Sequence, residues 1–364
     1  MLVWRAPPGR GHFRRWHLEQ PVLVTETYQV MIRVGIIGFG AMGRIRYEAV
    51  AQNSEARVLA LAEPDQVGDI GGVKVCAKPE DVIENPEIDA VFICTPNYLN
   101  QSLTIQALRA GKHVFCEKPP AFNARGVELV MAAEQESGGC KLMYGFNHRH
   151  HESIVRAKEV IDSGRHGRLL WMRGRYGKSV DESFYKTWRA KKRLAGGGIL
   201  IDQGIHMLDL FLMMAGDFDE VQAFVSTLYW KLEVEDNVFA ILRNQAGVVA
   251  SLHSTMTQWR HLFALEMFLE HGYVVVNGLL TASGSYGEEA MTVAKNRTTA
   301  PAAKWSDSEQ IVFKVNNSWR REVDHFINAV KSDTAVQYGT SRDALKLMGL
   351  VDKIYRHPHT RRQD

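Results

Sequence analysis

The stretch Ile32-Arg33-Val34-Gly35-Ile36-Ile37-Gly38-Phe39-Gly40-Ala41-Met42-Gly43 decides the fold. Its first half is a short β-branched run, its second a glycine turn, and from Arg44 to Gln52 the sequence becomes helix-like. Gly-x-Gly-x-x-Gly is a weak pattern alone, because glycines mark many turns. Set between a strand and a helix it gains physical meaning. Gly38 permits the tight turn, Gly40 lets the backbone approach a diphosphate, and Gly43 lets helix pack closely on strand. The turn Phe39–Met42 and the helix N-terminus then offer N–H groups and a positive dipole end to phosphates.

Outward from this unit the same grammar repeats. A strand at Arg57–Ala62 ends in Glu63-Pro64-Asp65, and a helix follows around Pro79–Asn85. Strand Ala90–Cys94, turn Thr95-Pro96-Asn97 and helix Ser102–Ala110 come next. Strand His113–Cys116 leads into Glu117-Lys118-Pro119-Pro120, helix Ala124–Ser137 and strand Lys141–Phe146. Strands alternating with helices predict an α/β doubly wound parallel sheet over residues 31–150.

After a helix at Ser153–Ser163 the runs become period-two: Leu169–Tyr176, Val221–Tyr229, Val238–Leu242, Gly247–Ser254, Phe263–Leu269 and Tyr273–Val276. This predicts an α+β part over residues 151–364, with a large, mainly antiparallel sheet of about six strands. Helices are expected at Ile199–Ala215, Arg320–Lys331 and Ser341–Arg356, and Ser283–Lys304 reads as a mobile surface excursion. Val248-Val249-Ala250 and Val274-Val275-Val276 carry apolar residues on both faces, and too few helices remain to cover the second face. A homodimer or homotetramer is expected.

The net charge of +3 over 364 residues gives no basic field of the kind nucleic acid attracts, so no nucleic-acid partner is expected. Cys76, Cys94, Cys116 and Cys140 form no Cys-x-x-Cys pair and read as reduced thiols of a cytoplasmic protein. The longest apolar candidates, such as Ile205–Ala215, are interrupted by His206 and Asp209, so no membrane span is expected. Met1–Val30 holds Arg5, Arg10, Arg14 and Arg15 without an apolar core. It reads as a disordered extension before a functional start at Met31, an organelle transit peptide being the other reading.

Chemistry concentrates at three places. Glu63 stands 25 residues beyond Gly38 at the end of the second strand, where a carboxylate accepts bonds from ribose hydroxyls and repels a 2′-phosphate. That favours NAD over NADP, with Arg44 and Arg46 as possible counterweights. Lys118 follows a strand aimed at the cofactor crevice; it fits either a solvated charge or an ammonium that stabilises oxyanion character. Asp202 and His206 are four apart, one helical face, after Gly196-Gly197-Gly198. The imidazole fits a proton-transfer group as well as a satisfied core histidine. With no third His or Cys nearby, no metal site is expected.

Together the glycine fingerprint, Thr95-Pro96-Asn97, Glu117-Lys118-Pro119 and the Gly-rich Asp202/His206 helix resemble the Gfo/Idh/MocA oxidoreductases. The resemblance implies a Rossmann half binding NAD or NADP, a second half with an open-faced sheet, and catalytic roles for Lys118, Asp202 and His206; in the mechanism expected here His206 removes the hydroxyl proton, Asp202 holds its tautomer as carboxylates do for catalytic imidazoles, and Lys118 bonds the same oxygen. It implies cofactor contacts from Gly38, Phe39, Gly40, Ala41, Met42, Gly43, Glu63, Thr95, Pro96, Asn97, Glu117 and Lys118. Substrate contacts are expected from Asn147, Arg149, Trp188 and Arg189. One departure is Asn100, where family members usually carry His. The implied activity is NAD-dependent hydride transfer at a secondary hydroxyl of a sugar, nucleotide-sugar or cyclic polyol; a ligand-sensing regulator on the same fold is the alternative. The basic run Lys186–Arg193, with five cations around Trp188, fits a solvated basic loop as well as a rim that attracts an anionic group on the substrate.

Overall fold

In a computed structural model, which describes residues 31–65, 68–281 and 283–357, the opening run is strand β1 (Ile32–Ile37) and helix α1 (Ala41–Ala51) follows it. The expected extension at residues 1–30 lies outside the described residues. Then come β2 (Ala56–Ala62), β3 (Lys74–Cys76), α2 (Glu80–Ile83), β4 (Ala90–Ile93), α3 (Asn97–Arg109), β5 (His113–Glu117), α4 (Ala124–Glu136) and β6 (Leu142–Gly145). All six strands are parallel, in the order β3-β2-β1-β4-β5-β6. Strand order reverses between β1 and β4, so a crevice opens at their carboxyl ends. Helix α3 starts at Asn97 rather than at the expected Ser102, because Pro96, with φ of −56°, already sets up its first turn.

The remaining elements are α5 (Glu152–Asp162), β7 (Leu169–Ser179), α6 (Lys192–Ala195), α7 (Ile205–Ala215), β8 (Glu220–Ser226), β9 (Asn237–Arg243), β10 (Val249–Thr255), β11 (Thr257–Leu269), β12 (Gly272–Asn277), β13 (Ala290–Lys295), β14 (Glu309–Val312), α8 (Ser318–Lys331) and α9 (Ser341–Arg356). Eight strands pair in the order β14-β13-β12-β11-β7-β10-β9-β8, antiparallel except for the parallel β7 and β10. Two expectations change here. The sheet has eight strands, not about six, and the stretch read as a mobile excursion contains β13, whose Ala290, Met291 and Ala294 are buried and which pairs with both neighbours. Its six residues were masked by the Gly, Ser and Thr around them.

Helices from the end of the chain return to the first sheet. Phe92 and Phe115 stack at 4.9 Å, and Phe326 of α8 meets both rings edge-on at 5.5 and 5.7 Å. With Val323 and Ile327 it closes one face of that sheet, while α9 packs on α4 at the other. Helix α7 lays Met207 and Phe211 against β7. The segment Lys192–Ala215 has the length and apolarity of a membrane span, but 72% of its most apolar window is buried inside the fold, as in a core helix. The four cysteines are free, three of them buried.

Arg46 joins these parts. Fully buried, its Nε donates to Glu117 Oε1 at 2.7 Å, and its Nη1 lies 2.6 Å from Glu322 Oε2 on α8. The rings of Phe115 and Trp319 flank the guanidinium at 4.3 and 4.8 Å. One cation thus serves two buried carboxylates. Burial lifts the Glu322 carboxyl to about 7, Arg46 pulling against it and the charge of Glu117 adding to it. A folded-state value above the ordinary 4.5 means that the stability this group contributes is complete below pH 4.5 and is lost as pH rises through about 7. Urea unfolding across that window should show falling stability, and Glu322→Gln should flatten the fall; an identical slope in the variant refutes the assignment.

Candidate active site

A cleft of about 790 Å³ lies at the carboxyl ends of β1, β4 and β5, closed on its far side by the end of β7, the start of α7 and the segments around residues 280 and 319. At one end the glycine turn lines it. Gly38 has φ of +87°, and a Cβ there would stand 2.7 Å from the Cys94 carbonyl oxygen, so only glycine fits. Gly40 has open space where a Cβ would be, and no side chain caps α1. Gly43 does not line the cleft; it faces the Gly38 carbonyl, which lets α1 seat on the turn. The open backbone and uncapped helix fit a diphosphate. Glu63 lines the same end, its Oε2 accepting from the Phe39 N–H at 2.6 Å. Of the two candidate phosphate-binding arginines, Arg46 is occupied inside the protein, while Arg44 reaches the cleft and lies 4.8 Å from the Phe39 ring.

Thr95, Pro96, Asn97, Glu117 and Lys118 line the middle. Asn100, the departure noted above, is buried and structural: its Nδ2 donates to the Glu117 and Pro119 carbonyls at 3.0 and 2.9 Å, and its Oδ1 accepts from Thr95 Oγ1 at 3.1 Å. It therefore ties the Thr95 turn to the loop that carries Lys118.

Lys118, Asp202 and His206 all face the cleft, but their pairing differs from the expected one. Lys118 Nζ donates to the Asp202 backbone carbonyl at 2.7 Å and lies 3.6 Å from Oδ1. Asp202 Oδ2 accepts from Lys178 Nζ at 2.8 Å, and Arg189 Nε lies 3.6 Å from Oδ1. Burial alone would raise the Asp202 carboxyl; Lys178, Lys118 and Arg189 together hold it well below the usual range. The carboxylate does not reach His206, whose buried Nδ1 has no hydrogen-bond partner. The reason is local: Leu200–Gly204 is a π turn ahead of α7, and its wider winding breaks the shared face that a spacing of four presumes.

His206 instead stacks on His148 with ring centroids 3.9 Å apart and planes at 21°. His148 Nε2 pairs with the Tyr176 hydroxyl at 2.9 Å. Burial, then the Lys118 charge, pushes His206 well below the ordinary imidazole value; burial and His206 do the same to His148. Lys118 is lowered by burial, with Asp202 opposing.

Among the expected substrate contacts, Asn147, Trp188 and Arg189 line the cleft and Arg149 does not. Arg149 is buried, its Nε 2.7 Å from Asp209 Oδ2 and its Nη1 3.4 Å from Asp343, so the guanidinium braces α7 and α9. The three glycines also serve packing rather than a ligand. A Cβ on Gly196 would strike the Phe122 ring, on Gly197 the Tyr355 hydroxyl and on Gly198 the Glu235 carbonyl. Sequence reading missed Lys178, Tyr176, His148 and Tyr286, all of which line the cleft. Lys178 looks like any strand-end charge; His148, inside Asn147-His148-Arg149-His150, carried the one signal available.

A family model described as an oxidoreductase family with NAD-binding Rossmann fold matches residues 32–146, and a model of the GFO/IDH/MocA C-terminal domain matches 154–275. The 1,5-anhydro-D-fructose reductase of Ensifer adhaerens is 30% identical over 66% of this chain and 74% of its own. The inositol 2-dehydrogenase of Rhizobium meliloti is 26% identical over 91% of this chain and 98% of its own. A solved structure, aldose-aldose oxidoreductase from Caulobacter crescentus complexed with glycerol, superposes with a TM-score of 0.76 at 25% identity, covering 90% of this chain and 97% of that one. With both halves matched in order around one cleft, the chain belongs to the Gfo/Idh/MocA family of oxidoreductases.

Proposed function

We propose that the chain is an NAD-dependent dehydrogenase that interconverts a secondary hydroxyl and a ketone on a sugar, nucleotide-sugar or cyclic polyol. The observation that carries this reading is the meeting of Lys118, from the β5 end, and His206, from α7, in the cleft that also holds the glycine turn. The sugar and polyol names of the relatives support the substrate class. Bound NAD supplies the hydride acceptor. His206, kept neutral by burial, accepts the hydroxyl proton, and the Lys118 ammonium donates a hydrogen bond to the same oxygen. Asp202 acts by neutralising and aiming Lys118, not by orienting His206. Lys118→Ala and His206→Ala should each lower turnover by about 10²–10⁴ while NAD affinity stays within a few-fold. Because the His206 value is depressed, oxidation should hold its plateau below pH 6.5; near wild-type turnover in both variants, or an acid limb centred above 6.5, overturns the mechanism.

The preference for NAD rests on Glu63, with Arg46 removed from contention by burial. Glu63→Ala should weaken NAD and relax discrimination against NADP. Wild-type preference for NADP in a steady-state comparison would mean that Arg44 prevails over Glu63.

We also infer a homodimer or homotetramer through the open face of the eight-stranded sheet. Phe224 (60% exposed), Ile241 (56%) and Phe239 (46%) stand on adjacent strands β8 and β9, and Trp171 stacks on Phe268 at 4.1 Å further across that face. Exposed aromatic and aliphatic side chains gathered on one sheet face support an association surface. Light scattering at micromolar concentration should return a dimer or tetramer, and Phe239→Lys with Ile241→Lys should reduce the mass; a monomeric wild type refutes the inference.

A further inference from the structure

Three cations converge on the single carboxylate of Asp202. Lys178 lies 2.8 Å from Oδ2; Lys118 and Arg189 each lie 3.6 Å from Oδ1. The other carboxylates that line the cleft are committed elsewhere: Glu63 and Asp65 belong to the β2 end, and Glu117 is held by Arg46. Tyr176 and Tyr286, raised by burial, stay protonated, and His148 and His206, lowered by burial, stay neutral. His151, which also lines the cleft, pairs with the buried Glu289 at 2.8 Å, and the three cations gathered on Asp202 exceed its charge by two. Lys118 and Lys178 are each only 20% exposed at the side chain, so water screens them weakly.

The composition of this end points the same way. Ammonium and guanidinium groups only donate hydrogen bonds and are matched by an oxygen group that only accepts, while the unpartnered Gln203 Oε1 and His206 Nδ1 remain to accept from substrate hydroxyls. The acceptors of Asp202 are already engaged. Lys178 is packed with its Nζ 5.2 Å from the Phe184 ring, and Arg189 lies 4.4 Å from the Trp188 indole, so both heads are held in place. Of the five cations in the 186–193 run, Arg189 alone lines the cleft; Lys191 pairs with Glu233 outside it. Lys178, from a different strand, supplies the second charge. The diphosphate of a bound dinucleotide is accounted for by the glycine turn at the opposite end.

We propose that the substrate is a sugar or polyol that bears an anionic oxygen group, carboxylate or phosphate, close to the reacting hydroxyl, and that Lys178 with Arg189 binds that group. The proposal rests on the dehydrogenase reading and narrows its substrate class. Closeness follows from the shared anchor: Lys118, assigned to the reacting oxygen, and Lys178 grip the two sides of one carboxylate. Binding of the anion replaces part of the charge that Asp202 provides and leaves its backbone carbonyl to hold Lys118.

The test compares matched pairs with NAD: glucuronate and galacturonate against glucose and galactose, glucose 6-phosphate against glucose, and inositol as the neutral polyol. Titration calorimetry of the enzyme–NADH complex with the same compounds reads binding without turnover. At least one anionic member should bind and react with a kcat/KM about tenfold or more above that of its neutral parent, and its KM should rise with added potassium chloride. The pair that responds distinguishes carboxylate from phosphate. Lys178→Met should raise KM for the anion about tenfold or more with a smaller effect on kcat, and Lys178→Arg should restore most of the affinity. Neutral sugars preferred by wild type, equal losses for both members of a pair, or no binding of any anion overturns the proposal while leaving the dehydrogenase reading intact. Anions that bind through Lys178 but are never oxidised, with NADH also failing to reduce the corresponding ketones, overturn the dehydrogenase reading instead.

Discussion

A guanidinium with no access to water must find its counter-charges inside the protein, and Arg46 finds them on two elements that are far apart in the chain. It sits on the helix that follows the glycine turn, contacts the carboxylate next to Lys118, and reaches α8 from the second half. Removing one member of such a buried set typically costs about 3–5 kcal/mol, because the remaining charges stay desolvated. The cofactor helix, the lysine loop and the covering helix therefore share one polar cross-link in addition to the apolar packing of Val323, Phe326 and Ile327.

A second charge cluster does the corresponding job on the substrate side. Asp202 gathers Lys118 from the first sheet, Lys178 from the second and Arg189 from the loop between β7 and α6. Its separation from His206 divides two roles that the sequence spacing merges: the carboxylate anchors three cations, and the proton exchange of the proposed mechanism falls to an imidazole stacked on His148. A neutral imidazole close to an ammonium is a stable arrangement in a desolvated pocket, since two adjacent cations there would repel.

Much of the fold was legible because it rests on local rules. The glycine turn, the strand–helix alternation and the two final helices each follow from short-range periodicity, and the ends of α9 agree residue for residue. What escaped depends on tertiary context. Strand β13 hides in polar surroundings and is recognisable only through its partners β12 and β14. Arg149 looked like a ligand-binding cation and proves to be a brace, since nothing in its neighbourhood announces Asp209 and Asp343. The glycine run Gly196-Gly197-Gly198 makes room for Tyr355 and Glu235, which arrive from later in the chain and which no local pattern announces. Lys178 was invisible because strand periodicity says which face a residue takes, not what stands opposite.

The return of α8 to the first sheet also shapes the order of events at the ribosome. The face made by Ile36, Phe92 and Phe115 is translated long before Phe326 and Ile327, which complete its cover. Until those residues leave the exit tunnel, the nascent nucleotide-binding half presents an uncovered aromatic surface, the kind of surface that folding chaperones engage. The two halves are thus sequential in synthesis but interdependent in maturation: the first-made sheet is finished by nearly the last-made helix.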